Sequence, residues 1–344
     1  MNKIDLDLAR EVVEIRNSTR RSTKRDYVAT YTEREYLNGK TRTERVLILR
    51  TRGCSWSYHS GCSMCGYWGD TNPDIGKEDL ISQISAFLSE FPQGEVLKVF
   101  TSGSFFDPVE VHPEVQKKMM EDILKGYDYL VVETRPEFVK KASEWIGKYS
   151  GKLQVAIGLE STDNSILERS VNKDYDFEDF KEAAILLHSV GISVRTYLLL
   201  KPPFVTEAEA IRDVIRSARD VSDYSDFISI NPTDIQKGTL VEYLYKQGNF
   251  RPPWLWSVVD VLLSLRDLKI PVVSLITAAG KKRGAHNGHT CDKRIAEAIR
   301  RYSETLDNRL LEDLSCDCRE AWKVFLQTEE DLGISVGEIE QYDE

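Results

Sequence analysis

From Val46 onward, short β-branched apolar runs alternate with stretches in which apolar residues recur at helical spacing. The runs Arg45–Arg50, Val96–Thr101, Tyr129–Glu133, Leu153–Leu159, Ser193–Leu200, Phe227–Asn231 and Val272–Ile276 predict strands. Amphipathic helices are predicted between them, near Lys77–Phe91, Pro113–Gly126, Pro136–Tyr149, Phe177–Val190, Glu207–Val221 and Trp254–Asp267. Strands that alternate with helices pair in parallel through right-handed crossovers. A doubly wound α/β sheet and a partial or complete β/α barrel both satisfy this pattern. Ahead of it, residues 1–40 predict a polar helix from Leu6 to about Ile15 and then a basic, Thr/Tyr-rich connector. Residues 41–283 make the core domain, and 284–344 a small helical extension containing Cys and His.

Polar groups follow the strands one after another: Glu133-Thr134-Arg135-Pro136, Gly158-Leu159-Glu160-Ser161 and Asn231-Pro232, with Arg195 and Lys201 bracketing Ser193–Leu200. In β/α folds the strand C-termini and the loops beyond them carry the working residues, so this distribution predicts one shared pocket.

Three thiols, Cys54, Cys62 and Cys65, crowd the loop after the first core strand, spaced C-x7-C-x2-C. A structural zinc site closes its tetrahedron with four protein ligands, whereas a reactive centre keeps a position open. Zinc completed by His59 satisfies the spacing. So does an iron–sulfur cluster held by three thiolates with one iron left free. A disulfide does not fit the charged, signal-free start, which predicts a reducing cytoplasmic setting. The flanking Arg52-Gly53 and Gly66-Tyr67-Trp68-Gly69 make a glycine-rich, aromatic-walled loop suited to close cover of a flat cofactor.

The cysteine loop, TSGSFFDP at 101–108, GLESTDNSILERSVNKDYDFEDF at 158–180 and RTYLLLKPPFVTEAEAI at 195–211 together resemble the radical S-adenosylmethionine (SAM) superfamily. The resemblance runs over most of the chain. Seven residues between the first two cysteines, where three is usual in that superfamily, resemble the archaeal archaeosine-synthase subfamily. It implies a partial (β/α)6 barrel, a 4Fe-4S cluster on Cys54, Cys62 and Cys65, and SAM on its open iron. It also implies Met64 and Tyr67 near the adenine, and Ser102, Gly103 and Ser104 at the methionine amine. The acidic residue usual at that last place is absent. Arg195, a forked donor, suits the SAM carboxylate. Glu160 suits the ribose hydroxyls or the amine. Glu133, Arg135, Lys201 and Asn231 are expected on the substrate side, with Glu133, Lys201 and Asn231 as catalytic candidates.

The implied substrate is a tRNA whose D-loop carries a 7-deazaguanine joined to lysine. The implied partners are a lysine-transferring archaeosine synthase subunit and a low-potential electron donor. Trp68, Phe105, Phe106, Trp254 and Trp256 are candidates to assist exposure of the base. Two alternatives keep their place: another radical SAM reaction, such as methylthiolation or protein or small-molecule modification, and a zinc-dependent RNA-binding scaffold without catalysis.

Composition narrows the partners. Of 344 residues, 41% are hydrophobic and 30% charged, and the net charge is −10. That balance suits a soluble chain and opposes unaided grip on phosphate. No apolar run is long enough to cross a bilayer. Charge is uneven: Arg16, Arg20, Arg21, Lys24 and Arg25 cluster early, Lys281-Lys282-Arg283 follow the last strand, and Glu329 to Glu344 is acidic. The two basic patches are candidate RNA-facing surfaces. In the extension, Cys291, Cys316 and Cys318 with His289 or His286 offer a second metal site, with zinc as the candidate ion.

Overall fold

The computed structural model describes residues 6–332, so most of the acidic stretch from Glu329 to Glu344 lies outside the described residues. Eight strands form one sheet in chain order: β1 (Ala29–Leu37), β2 (Lys40–Ile48), β3 (Gly94–Phe100), β4 (Tyr127–Thr134), β5 (Leu153–Glu160), β6 (Ser193–Leu200), β7 (Phe227–Pro232) and β8 (Val272–Ser274). β1 and β2 are antiparallel, and each later neighbour is parallel. All seven expected strands form.

Alternation along the strands separates two faces. Leu97, Val99, Leu130, Val132, Val155 and Ile157 point outward into the main core against the helices. Leu37, Val96, Val131, Ala156, Phe227 and Val273 form a second, inner cluster. Residues of β1 and β8 share that inner cluster although they sit at opposite edges, so the sheet is curled into a partial barrel. Among the described residues, no helix is long and apolar enough to cross a membrane.

β1 is the departure from expectation, because residues 29–37 are a strand rather than a connector. Asn38 and Gly39 take φ of 52° and 84°, the two left-handed positions of a tight two-residue hairpin turn. The boundary expected at residue 40 therefore falls inside a hairpin. The C-terminal extension is likewise built into the barrel. Its helix Asp292–Thr305 packs on β8, β1 and β2. Thr41 Oγ1 donates to the Glu304 carbonyl (2.6 Å), and the Ser274 amide donates to Ser303 Oγ (3.1 Å). This helix covers the seam between the sheet's two edges.

Candidate active site

A cavity of about 810 Å³ opens at the C-terminal ends of the strands, and Cys54, Cys62 and Cys65 share its wall. The seven residues between the first two thiols hold a short helix, Ser55–His59. That turn of helix gives the loop its second anchor: Trp56 Nε1 donates to the Asn172 carbonyl (2.9 Å). Further on, the Ser63 amide reaches the Val171 carbonyl (2.9 Å), and Asn172 Nδ2 reaches Ser60 Oγ (2.7 Å) and the Gly61 carbonyl (2.6 Å). The Gly66 amide donates to Gln236 Oε1 (2.8 Å), tying the loop's far side to the turn after β7. From outside, Arg16 donates to the Ser57 and Ser60 carbonyls, and Arg21 stacks 4.1 Å over the Trp68 ring. Arg16, buried, and Arg21, half-buried, thus brace the loop, while Arg20, Lys24 and Arg25 of the early basic patch remain exposed.

Burial pushes all three thiols above their ordinary range, Cys62 to about 11. None is in a disulfide. His59 is exposed and does not line the cavity, so the described geometry does not complete a zinc set at this loop.

Across the cavity, β5 ends in a bulge between Gly158 and Glu160, and Glu160 holds φ at 74°. A non-glycine residue in that region is strained and needs support. Lys173 gives it: Nζ lies 3.2 Å from Glu160 Oε1 and 2.8 Å from the Tyr175 hydroxyl. Burial alone lowers an ammonium, but Tyr175 and Glu160 hold Lys173 well above its ordinary range. Glu133 projects from the end of β4. Burial, then Glu110 and Glu160, raise its carboxyl to about 8.

Glu110 organises the loop after β3. It accepts from Thr51 Oγ1 (2.6 Å), the Ser102 amide (2.9 Å) and the Ser104 amide (2.6 Å). Burial still raises it to about 7 against those bonds.

Eleven of the expected residues line the cavity: the three cysteines, Met64, Tyr67, Ser102, Gly103, Glu133, Arg135, Glu160 and Asn231. Arg135 among them is paired with Glu137 and Asp174.

Three expected site residues stand elsewhere. Arg195 points into the barrel, but it is the third residue of β6 and lies at the closed N-terminal end. There it is fully buried, donating to Glu35 Oε2 (2.6 Å) and Gln154 Oε1 (2.7 Å). Lys98 completes this layer, 3.1 Å from Glu35 and 2.5 Å from Glu44. Burial raises Glu35, yet Arg195 and Lys98 outweigh it and hold the carboxyl down at about 2. Arg195 is not among the residues that line the cavity. Lys201, with φ of 63°, turns away from the barrel and pairs with Glu207 (2.7 Å). Ser104 uses its hydroxyl to accept from the Arg135 amide (3.0 Å), a loop-fixing role.

Phe105, Phe106 and Trp256 are buried core residues, and Trp254 packs on Phe325 at 5.6 Å. None of these four lines the cavity. Lys173, Tyr175 and Gln236 were not foreseen individually, although the first two lie inside the segment 158–180.

A sequence profile described as the Radical SAM superfamily matches residues 48–218. Over 338 residues the chain is 35% identical to archaeosine synthase subunit beta of Methanosarcina acetivorans, covering 94% of this chain and 97% of that protein. This chain belongs to the radical SAM superfamily, in the family of archaeosine synthase beta subunits. The protein of the same name from Thermococcus kodakarensis is 36% identical over 315 residues, covering 86% of this chain and 96% of that one. Among solved structures, a queuine lyase from Clostridium spiroforme bound to SAM and queuine aligns at TM-score 0.46 and 20% identity, covering 63% of this chain and 90% of that chain.

Membership of the radical SAM superfamily implies a 4Fe-4S cluster and SAM, and the residues present fit them. Three unpaired thiols share one wall, and neighbouring backbone passes tightly behind them. A Cβ built on Gly103 would stand 2.5 Å from Cys54 Cβ and 2.8 Å from its sulfur, so only glycine allows that approach. Thiols that burial holds protonated become stable thiolates once a metal centre supplies positive charge.

Proposed function

We propose that this chain is the radical-generating subunit of an archaeosine synthase, acting on a 7-deazaguanine–lysine adduct in the D-loop of a tRNA. The support is the near-full-length likeness to two proteins of that name, together with a cavity that gathers the cysteine triad and the strand-end polar groups. Cys54, Cys62 and Cys65 would hold the cluster, and Met64, Tyr67, Ser102, Gly103 and Glu160 would hold SAM. When bound, these groups supply a primary alkyl radical able to remove a hydrogen atom from an unactivated carbon.

The chain's own residues would position the substrate and exclude water. Glu133 and Asn231 lie beyond the triad on the same cavity and would meet the lysine moiety. Glu133, protonated up to about pH 8, can donate a hydrogen bond as well as accept one. The hydrogen would come from the lysine carbon beside the nitrogen. The carbon radical would give up one further electron to the electron-donor couple and become an iminium. Addition of water would then break the C–N bond, releasing the lysine remnant as an aldehyde and leaving the formamidine of archaeosine. A net charge of −10 accords with a partner subunit that grips the tRNA and with delivery of the adduct by a lysine-transferring enzyme.

The experiment is an anaerobic assay of the reconstituted protein with SAM, a strong reductant and lysine-adduct tRNA, with and without the partner. Formation of 5′-deoxyadenosine together with archaeosine is expected. Formation of 5′-deoxyadenosine without archaeosine, in the presence of the partner, would reject this substrate while leaving the superfamily assignment intact.

A further inference from the structure

His289, Cys291, Cys316 and Cys318 bring one ligand atom each within 4.8 Å of one another. Cys318 Sγ lies 3.4 Å from both Cys291 Sγ and Cys316 Sγ, and Cys316 Sγ lies 3.3 Å from His289 Nδ1. A tetrahedral zinc with Zn–S of about 2.3 Å and Zn–N of about 2.0 Å has ligand–ligand edges of roughly 3.5–3.8 Å. Three of the six edges therefore already match that tetrahedron to within a few tenths of an ångström, and the remaining three are no longer than 4.8 Å. They are too far apart for a disulfide, whose sulfurs bond at about 2.05 Å. They are too close for a four-iron cluster, where each thiolate caps a different iron and the sulfurs spread around a cube.

The surroundings suit thiolates. Trp256 Nε1 donates to Cys318 Sγ (3.2 Å) and Asn287 Nδ2 to Cys291 Sγ (3.5 Å), N–H donors of the kind that steady metal-bound sulfur. His286 is not part of the set; its Nδ1 reaches the Gly284 carbonyl at 2.7 Å.

We propose that these four side chains bind one zinc ion, and that the ion anchors the helix closing the barrel seam. Cys291 immediately precedes the helix Asp292–Thr305, and Cys318 begins the helix Cys318–Leu332. One ion thus joins both. The first helix carries Arg300, Ser303 and Glu304 to the cavity wall. Those residues lie roughly 13–20 Å along the helix from Cys291, at about 1.5 Å per residue, so the metal shapes the cavity without touching its chemistry. The second helix is held by Trp322 Nε1 on Ser257 Oγ (2.9 Å) and by Glu329, which accepts from the Glu207 amide (2.6 Å). Loss of the ion frees both helix starts. This inference stands apart from the identity of the substrate.

The test uses the full chain with Cys54, Cys62 and Cys65 all changed to Ala, so that the cluster loop contributes no metal. Elemental analysis is expected to find about one zinc per chain, and Cys316→Ser in the same background to lower it at least tenfold. Cys316 is only half-buried, so this change leaves the core intact; circular dichroism confirms the fold. Cobalt(II) added after zinc removal is expected to give the intense visible bands of a tetrahedral thiolate site, absent in the Cys316→Ser protein. Iron in place of zinc, or zinc retained at full occupancy by Cys316→Ser, would overturn the site. For the anchoring role, chelation of zinc is expected to accelerate amide exchange across 292–305; unchanged protection there would overturn it.

Discussion

Lys173 Nζ stands 3.2 Å from Glu160 Oε1, and the pair holds a carboxylate in the cavity on a backbone that left-handed φ makes unfavourable. Both side chains are largely withdrawn from water. Breaking such a pair leaves an uncompensated charge and costs about 3–5 kcal/mol. Lys173→Met is therefore expected to lower the urea midpoint strongly and to weaken SAM binding at least tenfold by equilibrium dialysis. Adding Glu160→Gln should return much of the stability and none of the binding. If Lys173→Met unfolds like the parent protein, the pair is not what supports β5.

Gly103 tests the cluster assignment without removing a ligand. A methyl group there collides with Cys54 at 2.5 Å. Gly103→Ala should leave the circular dichroism spectrum unchanged while iron and sulfide after reconstitution fall well below the parental content. Full iron loading of that variant would show that Cys54 is not a ligand in its present position.

Arg195 gives the opposite signature. It neutralises Glu35 at the closed end of the barrel, so Arg195→Gln is expected to cost about 3–5 kcal/mol of stability and leave the SAM dissociation constant unchanged. A tenfold weaker SAM affinity at parental stability would return Arg195 to the cofactor.

The buried carboxyls fix the sign of a pH dependence. Glu110 titrates at about 7 and Glu133 at about 8 in the folded chain. Both lie above the ordinary glutamate value of about 4.3 that the unfolded chain shows. Between pH 5 and 8 (roughly, from these values) the folded state keeps protons that the unfolded state has released. By linkage, these groups make stability fall as pH rises through that window. Glu133→Gln should flatten the fall in urea midpoint between pH 6 and 8. An unaltered slope would mean that Glu133 ionises normally.

Much of this was legible in the chain. The cysteine triad declared itself by spacing, and seven strands by β-branched runs. β1 was hidden because its inward face reads Tyr31, Glu33, Glu35, Leu37, and carboxylates that meet Lys98 and Arg195 inside a barrel look like a solvent face in sequence. The available signal was Asn38-Gly39 between two alternating stretches. Arg195 shows a different limit: alternation gives the face of a strand but not the depth, and only the sheet register sets it two residues below the cavity. Lys173 depended on Asn172 turning the chain with φ of 62°, which brings a side chain distant in sequence beneath the thiols.

The helix across the seam also orders events in time. During synthesis the three thiols, Glu133, Glu160 and Lys173 all emerge well before Asp292–Thr305. At 5–20 residues per second the interval between Cys65 and that helix is roughly 10–45 s. A nascent chain can thus present its cofactor loop on an unroofed sheet, and the last wall is set in place only afterwards.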